Sequence, residues 1–216
     1  MDRSTTAAAA APDSSRQVVF VNAGLADLSG LLQGLPPDMQ VVLLDETQDG
    51  LQQMADYLQG RDGLQAIHLL SHGAQGTVQV GSTWLSSANL AENQAALQRI
   101  GAALGEDGDL LLYGCRVGEA GDSRDFLGQL AAITGADVAA SVDDTGAAAL
   151  GGNWMLERSS GSIEASALEL AAFDALMAVS FSGGAVASAP VLGTGNNLMK
   201  TVVGDFNNDG QDDILF

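Results

Sequence analysis

Two stretches decide the fold: Ala66-Ile67-His68-Leu69-Leu70-Ser71-His72-Gly73 and Asp109-Leu110-Leu111-Leu112-Tyr113-Gly114-Cys115. Each is a short apolar run that stops at a small polar tip. Short apolar runs bounded by Gly and polar residues read as buried strands of a parallel sheet, covered on both faces. In open α/β sheets, ligands bind outside the carboxyl ends of the strands. If the two strands are neighbours, the imidazole of His72 and the thiol of Cys115 share one rim. Nucleophilic catalysis by cysteine needs that arrangement, with a base close enough to take the thiol proton.

Outward from this pair, strand and helix alternate. Gln17 to Asn22 reads as a first strand and Leu25 to Leu35 as a short helix, broken at Pro36-Pro37. Gln40 to Leu44 is a second strand, and Leu51, Met54, Ala55 and Leu58 lie at helical spacing behind it. Thr77 to Leu85 alternates and turns at Gly81-Ser82, a hairpin pattern. Leu90, Leu97, Ile100 and Leu104 predict one long helix from Ser87 to Leu104. Asp122 or Ser123 is placed to cap a helix running to Thr134. Ala136 to Ser141 is a fifth sheet strand, Asn153 to Glu157 a short sixth, and Ile163 to Met177 is expected to be partly helical. This alternation predicts an α/β fold: a three-layer α/β/α sandwich with a mostly parallel sheet, strand order 2-1-3-4-5.

The ends of the chain differ in character. Residues 1–15 form an Ala, Ser and Thr leader without the apolar core of a secretory signal. Residues 16–178 are expected to hold the α/β domain. Residues 179–198 turn abruptly to Gly, Ala, Ser and Pro, as a linker does. Residues 199–216 form a separate element that stops mid-unit, so further repeats are expected to follow. With 27 acids against 8 Lys and Arg, the net charge of −19 argues against nucleic acid and anionic membranes as partners. It suits a secreted or surface protein in a calcium-rich medium. No run reaches the roughly 18 apolar residues of a membrane span, so no membrane insertion is expected. Cys115, the single cysteine, has no internal disulfide partner.

Taken singly, His72 and Cys115 have ordinary readings: a hydrogen-bonded structural histidine and a small buried hydrophobe. Taken together they change meaning. Both follow similar strands, both adjoin a glycine, and one helix-sized crossover separates them. Gly73 and Gly114 lack a Cβ, which admits a tight turn or a close backbone approach.

Ser71-His72-Gly73 and Tyr113-Gly114-Cys115, each after an apolar strand, resemble the His-Gly and Gly/Ala-Cys blocks of clan CD cysteine peptidases. That group includes caspases, legumain, gingipains, separase and CHAT domains. More closely, Val18 to about Met177 resembles the domain of unknown function 4347 family, found near the N-terminus of very large bacterial surface proteins with calcium-binding repeats. The blocks that carry this likeness are Asp49-Gly50-Leu51, Ile67 to Gly73, Leu111 to Cys115, Gly135 to Ser141 and Asn153 to Glu157. The resemblance implies a dyad in which Cys115 attacks a peptide carbonyl and His72 protonates the leaving amine. The N–H groups of Gly73 and Cys115 would serve as oxyanion donors. Asn22, at the rim of the first strand, is expected to orient the imidazole, with Asp45 as the alternative. Many of these peptidases carry Gln, Asp or Glu two residues before the cysteine, lining the substrate pocket. Here Tyr113 stands there, so no charged preference carries over. Asp143 and Asp144 would supply negative charge to a basic substrate side chain; a solvated turn with Gly146 is the competing reading.

Asp205-x-Asn207-x-Asp209-Gly210-Gln211-x-Asp213 places oxygen ligands at alternate residues around a glycine turn. A hard cation such as Ca²⁺ takes several converging carboxylate, amide and carbonyl oxygens, Gln211 contributing its backbone carbonyl. The order resembles the loop of FG-GAP (VCBS) propeller repeats, including the Val202-Val203-Gly204-Asp205-Phe206 lead-in. A single unit cannot bury its own faces, so it reads as the first of several. The α/β domain itself calls for no cofactor. Two functions follow as expectations: a caspase-like cysteine endopeptidase head acting on a polypeptide, its own chain included, or a non-catalytic anchoring or recognition module of a calcium-dependent adhesin. A cytosolic CHAT-like signalling role fits the calcium loop poorly.

Overall fold

The structure, a computed structural model, describes residues 16–119, 123–178, 202–204 and 213–215. The leader, the linker 179–198, Asp122 and residues 205–212 lie outside the described residues. The chain divides after Ala178 into two compact units, Met1–Ala178 and Val179–Phe216.

The first unit is built on a six-stranded sheet. Its strands are β1 (Gln17–Asn22), β2 (Gln40–Leu44), β3 (Leu64–Leu70), β7 (Leu104–Tyr113), β8 (Asp137–Ala140) and β9 (Arg158–Ser160). They lie in the order β2-β1-β3-β7-β8-β9, and all neighbouring pairs are parallel except β8 with β9. This is the expected 2-1-3-4-5 order with an antiparallel edge added. The last strand begins at Arg158, just past the predicted Asn153–Glu157. A second, three-stranded sheet consists of β4 (Gly73–Ala74), β5 (Thr77–Val80) and β6 (Thr83–Ser86), the last two forming the predicted hairpin.

Helices cover the two faces unequally. α2 (Gly50–Tyr57), α3 (Gln94–Gly101) and α4 (Ser123–Thr134) pack one face, where Leu51, Met54, Leu97, Ile100, Phe126 and Leu130 meet Phe20, Ile67, Leu69 and Leu112. The other face carries α1 (Leu28–Gly34) and an irregular segment in which Leu168, Leu170, Phe173 and Met177 are buried on Val19, Leu70, Leu111 and Tyr113. The sheet interior is thus dry on both sides, and each large buried side chain contributes about 2–3 kcal/mol. No described helix is long and apolar enough to cross a membrane.

Two predicted helices differ. The long helix from Ser87 shrinks to α3, because Asn89 and Asn93 divert the backbone before it. Asn89 Oδ1 accepts the Ser86 N–H at 2.9 Å, its Nδ2 donates to Trp84 O at 2.8 Å, and Asn93 Nδ2 donates to Asn89 O at 2.9 Å. Side-chain bonds of this kind compete with helical pairing. Leu104 then opens β7 instead of closing a helix. The segment 163–177 forms no helix because its N–H groups have partners elsewhere. Glu164 and Ala165 donate to Asp109 Oδ2, and Leu168 donates to the Tyr113 hydroxyl at 2.8 Å.

In the second unit, β10 (Val202–Gly204) pairs antiparallel with β11 (Asp213–Leu215), and Gly204 faces Asp213.

Candidate functional site

The paired register sets the site. Leu70 at the end of β3 partners Tyr113 at the end of β7, and the Ser71 N–H donates to Tyr113 O at 3.0 Å. Two residues further on, both chains reach the predicted pair, His72 and Cys115. The loops carrying them touch through backbone. A Cβ on Gly73 would sit 2.8 Å from Gly114 C and 2.9 Å from Cys115 O, and one on Gly114 would sit 3.1 Å from Ser71 O. Two glycines are needed because only chains without Cβ atoms approach this closely.

His72 is half-buried, and its Nδ1 lies 3.2 Å from Met177 O. A carbonyl only accepts, so Nδ1 carries the proton and Nε2 of the neutral ring keeps its lone pair. Cys115 is 3% exposed. Its sulfur accepts the Thr145 N–H at 3.3 Å and lies 3.8 Å from Thr145 O. Burial pushes the thiol up to about 11, helped by the carboxylates of Asp144 and Asp143 and opposed by the Thr145 N–H and by Arg116. In this closed arrangement Cys115 is a thiol at neutral pH. Arg116, the next residue, has φ of 63°, the left-handed region that a residue with a Cβ rarely occupies. Its N–H donates to Asp143 O at 2.8 Å and its guanidinium to Asp144 Oδ1 at 3.1 Å. Strain of this kind gathers at functional sites.

The remaining predicted residues fall as follows. Asn22 is fully buried, its side-chain atoms have no hydrogen-bond partner, and the imidazole's Nδ1 turns to Met177 instead. Asp45 holds the turn after β2, accepting from Thr47 and Gln48. Tyr113 is wholly buried between His68 and Trp154, so its phenol serves the Leu168 N–H and faces no open groove. Asp143 accepts from Asn153 Nδ2 at 2.9 and 3.0 Å, and Asp144 pairs with Arg116. Asp205, Asn207, Asp209 and Gln211 lie outside the described residues, and Asp213 opens β11. Sequence reasoning missed Thr145, Arg116 and Met177. Only Arg116, a charged neighbour of the lone cysteine, carried any signal.

An acidic trio at the opposite rim was also missed. Asp109 and Asp137 are register partners, and one oxygen each of Asp109, Asp137 and Glu164 lies within 4.8 Å of the others. Three such oxygens have the spacing to hold a divalent cation, although acid clusters are common without one. Asp109 is fully buried; Oδ2 accepts two N–H groups and Oδ1 has none. Burial first, then the neighbouring carboxylates, raises its pKa above the usual range. An acid raised on folding stabilises the fold below its unfolded pKa, and that contribution is lost as pH rises through the folded value. Asp109→Asn, which keeps the acceptor, is therefore expected to melt higher than wild type at pH 8 and no higher at pH 4. A lower melting temperature at pH 8 would contradict this account.

The fold and rim define a class: a doubly covered, mostly parallel α/β domain with a histidine and a cysteine above adjacent strand ends. A family model described as Domain of unknown function (DUF4347) matches residues 18–179, three quarters of the chain. The chain belongs to that family. No curated protein matches it.

Proposed function

We propose that the first unit is a cysteine-nucleophile hydrolase acting on polypeptides. The observation that carries this reading is the matched placement of His72 and Cys115 two residues beyond the paired Leu70 and Tyr113. The fixed Nδ1–H of His72 supports it, because Nε2 is then the basic nitrogen. In the reaction, the Cys115 proton passes to Nε2 and sulfur bonds to the substrate carbonyl carbon. The C–N bond breaks as Nε2 returns the proton to the amine, and water then hydrolyses the thioester. The resemblance to clan CD peptidases agrees with this assignment. The second unit would serve as the first of several calcium-binding repeats of a secreted or surface protein. The antiparallel pairing of Val202–Gly204 with Asp213–Leu215, on either side of the Asp205-x-Asn207-x-Asp209-Gly210-Gln211 sequence, supports that reading.

A second reading, a non-catalytic recognition module of a calcium-dependent adhesin, is favoured by the burial of Cys115 and its raised pKa. Alkylation of Cys115 by iodoacetamide separates the two. His72→Asn is the better variant, since its amide can still donate to Met177 O while the base is removed. The hydrolase reading expects this variant to react roughly 100-fold more slowly at pH 7, the scale of general-base assistance. Equal rates would favour the module.

A further inference from the structure

The segment after Phe173 is held as an added strand, although it lies outside both sheets. Leu176 bridges antiparallel to Gly146, the Ala147 N–H donates to Ala175 O at 2.9 Å, and the Met177 N–H donates to Thr145 O at 2.9 Å. On the other flank His72 Nδ1–H donates to Met177 O, and Ala178 bridges parallel to Gly73. Ala175–Ala178 thus runs between the loop that follows β8 and the His72–Gly73 segment where β3 passes into β4. Thr145, which receives the Met177 N–H, also makes both contacts to the Cys115 sulfur. Met177 is fully buried in the same apolar cluster as Tyr113 and Cys115. The segment's root is fixed separately: the Asp174 N–H donates to Asp27 Oδ2 at 3.3 Å.

We propose that Ala175–Ala178 is a strap occupying a polypeptide-binding groove across the His72–Cys115 rim, and that an extended polypeptide binds there once the strap has left. Four observations converge on it. The strap's partners on both flanks are mainly backbone groups, so any extended chain could replace it, which is how strand addition recognises peptides. Its partner Thr145 is the residue that makes both contacts to the buried Cys115 sulfur. It uses the basic residue's own Nδ1–H as an anchor. It is also the last segment of its unit, joined directly to the chain that continues at Val179. Its hydrogen bonds are few, so opening it exposes the Met177 side chain but leaves the sheet intact. The inference rests on the hydrolase reading for its chemistry and goes beyond it by naming the groove, its occupant and the way it is opened.

The test uses the whole chain. In the wild type, alkylation of Cys115 and hydrogen exchange of the Ala147 and Met177 amides are expected to share one opening step, insensitive to low urea. Amides in β3 and β7 should exchange only through a urea-sensitive transition. Met177→Pro removes the N–H given to Thr145 together with a fully buried side chain, and should speed alkylation by at least about tenfold, the loss of one such bond alone. An acetylated peptide spanning 173–178, added to that variant, should slow alkylation again. The proposal is overturned if Cys115 reacts only through the urea-sensitive transition, or if folded Met177→Pro reacts at the wild-type rate. Should Met177→Pro fail to fold, the wild-type urea comparison decides alone. The hydrolase reading fails separately, when the strap opens as described yet wild type and His72→Asn alkylate equally.

Discussion

Lowering the pH from 7 to 5 is expected to remove about 2 kcal/mol of stability from the wild type that a His68→Gln variant does not lose. His68 sits in β3 between Val19 and Leu111 and is fully buried. Its ring stacks on Tyr113, with centroids 5.9 Å apart and planes 19° apart. Nε2 lies 3.0 Å from Gln17 Oε1, so it carries the proton, and Nδ1 has no partner. Burial lowers its pKa to about 4. An unfolded histidine titrates near 6.5. Below that pH the unfolded chain therefore takes up a proton that the folded chain refuses. The contribution is complete above about pH 6.5 and lost as pH falls through about 4, with a full extent of about 3 kcal/mol. His72 and the acids are common to both proteins, so the difference between the two stability curves isolates His68. Parallel curves from pH 7 to pH 5 would show that the ring is protonated inside the fold, and the packing account would fall with them.

His68 and His72 show how much of the molecule was legible in the sequence. Both lie in one short stretch, and the position of each relative to the apolar run already distinguished them. The residue inside the run is core, and the residue after it is rim. The order of the strands was legible for the same reason, since buried parallel strands must be apolar throughout. What escaped was set by contacts distant along the chain. Leu168 to Met177 has the composition of a helix, yet its N–H groups meet Tyr113, Asp27 and Thr145 instead. Nothing local announces those partners. Met177 lies 105 residues from the imidazole that it orients. The Asn89 and Asn93 interruption was legible in principle, because both residues are poor in helix interiors. The apolar spacing of Leu90, Leu97 and Ile100 outweighed them in the reading. At the site, His72 and Cys115 were visible as residue types after strands. The partners of Ala175–Ala178 were not, since most of its bonds are made by main-chain atoms common to every residue.

Gly101→Ala is expected to destabilise the first unit by about 2–4 kcal/mol, although alanine is the better helix former. Gly101 is the last residue of α3, and its φ does not call for glycine; its surroundings do. A Cβ there would overlap the carbonyl oxygen of Thr134 and come within 2.6 Å of Thr134 C and 2.7 Å of its Cα. Thr134 cannot yield, since its hydroxyl donates to Leu130 O at 2.8 Å and accepts the Ala136 N–H at 3.2 Å. Those bonds place the entry to β8, and Ala103, two residues after Gly101, accepts the Leu64 N–H at the start of β3. Pushing α3 off α4 therefore strains both strand entries. Gly128 in α4 supplies the opposite case, because a Cβ there meets nothing within 4 Å. Gly128→Ala keeps only the propensity gain, about 0.5–1 kcal/mol of stabilisation. At about 2–4 °C per kcal/mol for a domain of this size, the two variants should melt on opposite sides of wild type, roughly 5–15 °C below and 1–4 °C above. A Gly101→Ala protein that melts with or above wild type would mean that α3 and α4 are further apart than described. The apolar layer beneath β3 and β7, on which the His72–Cys115 rim stands, would then need to be redrawn.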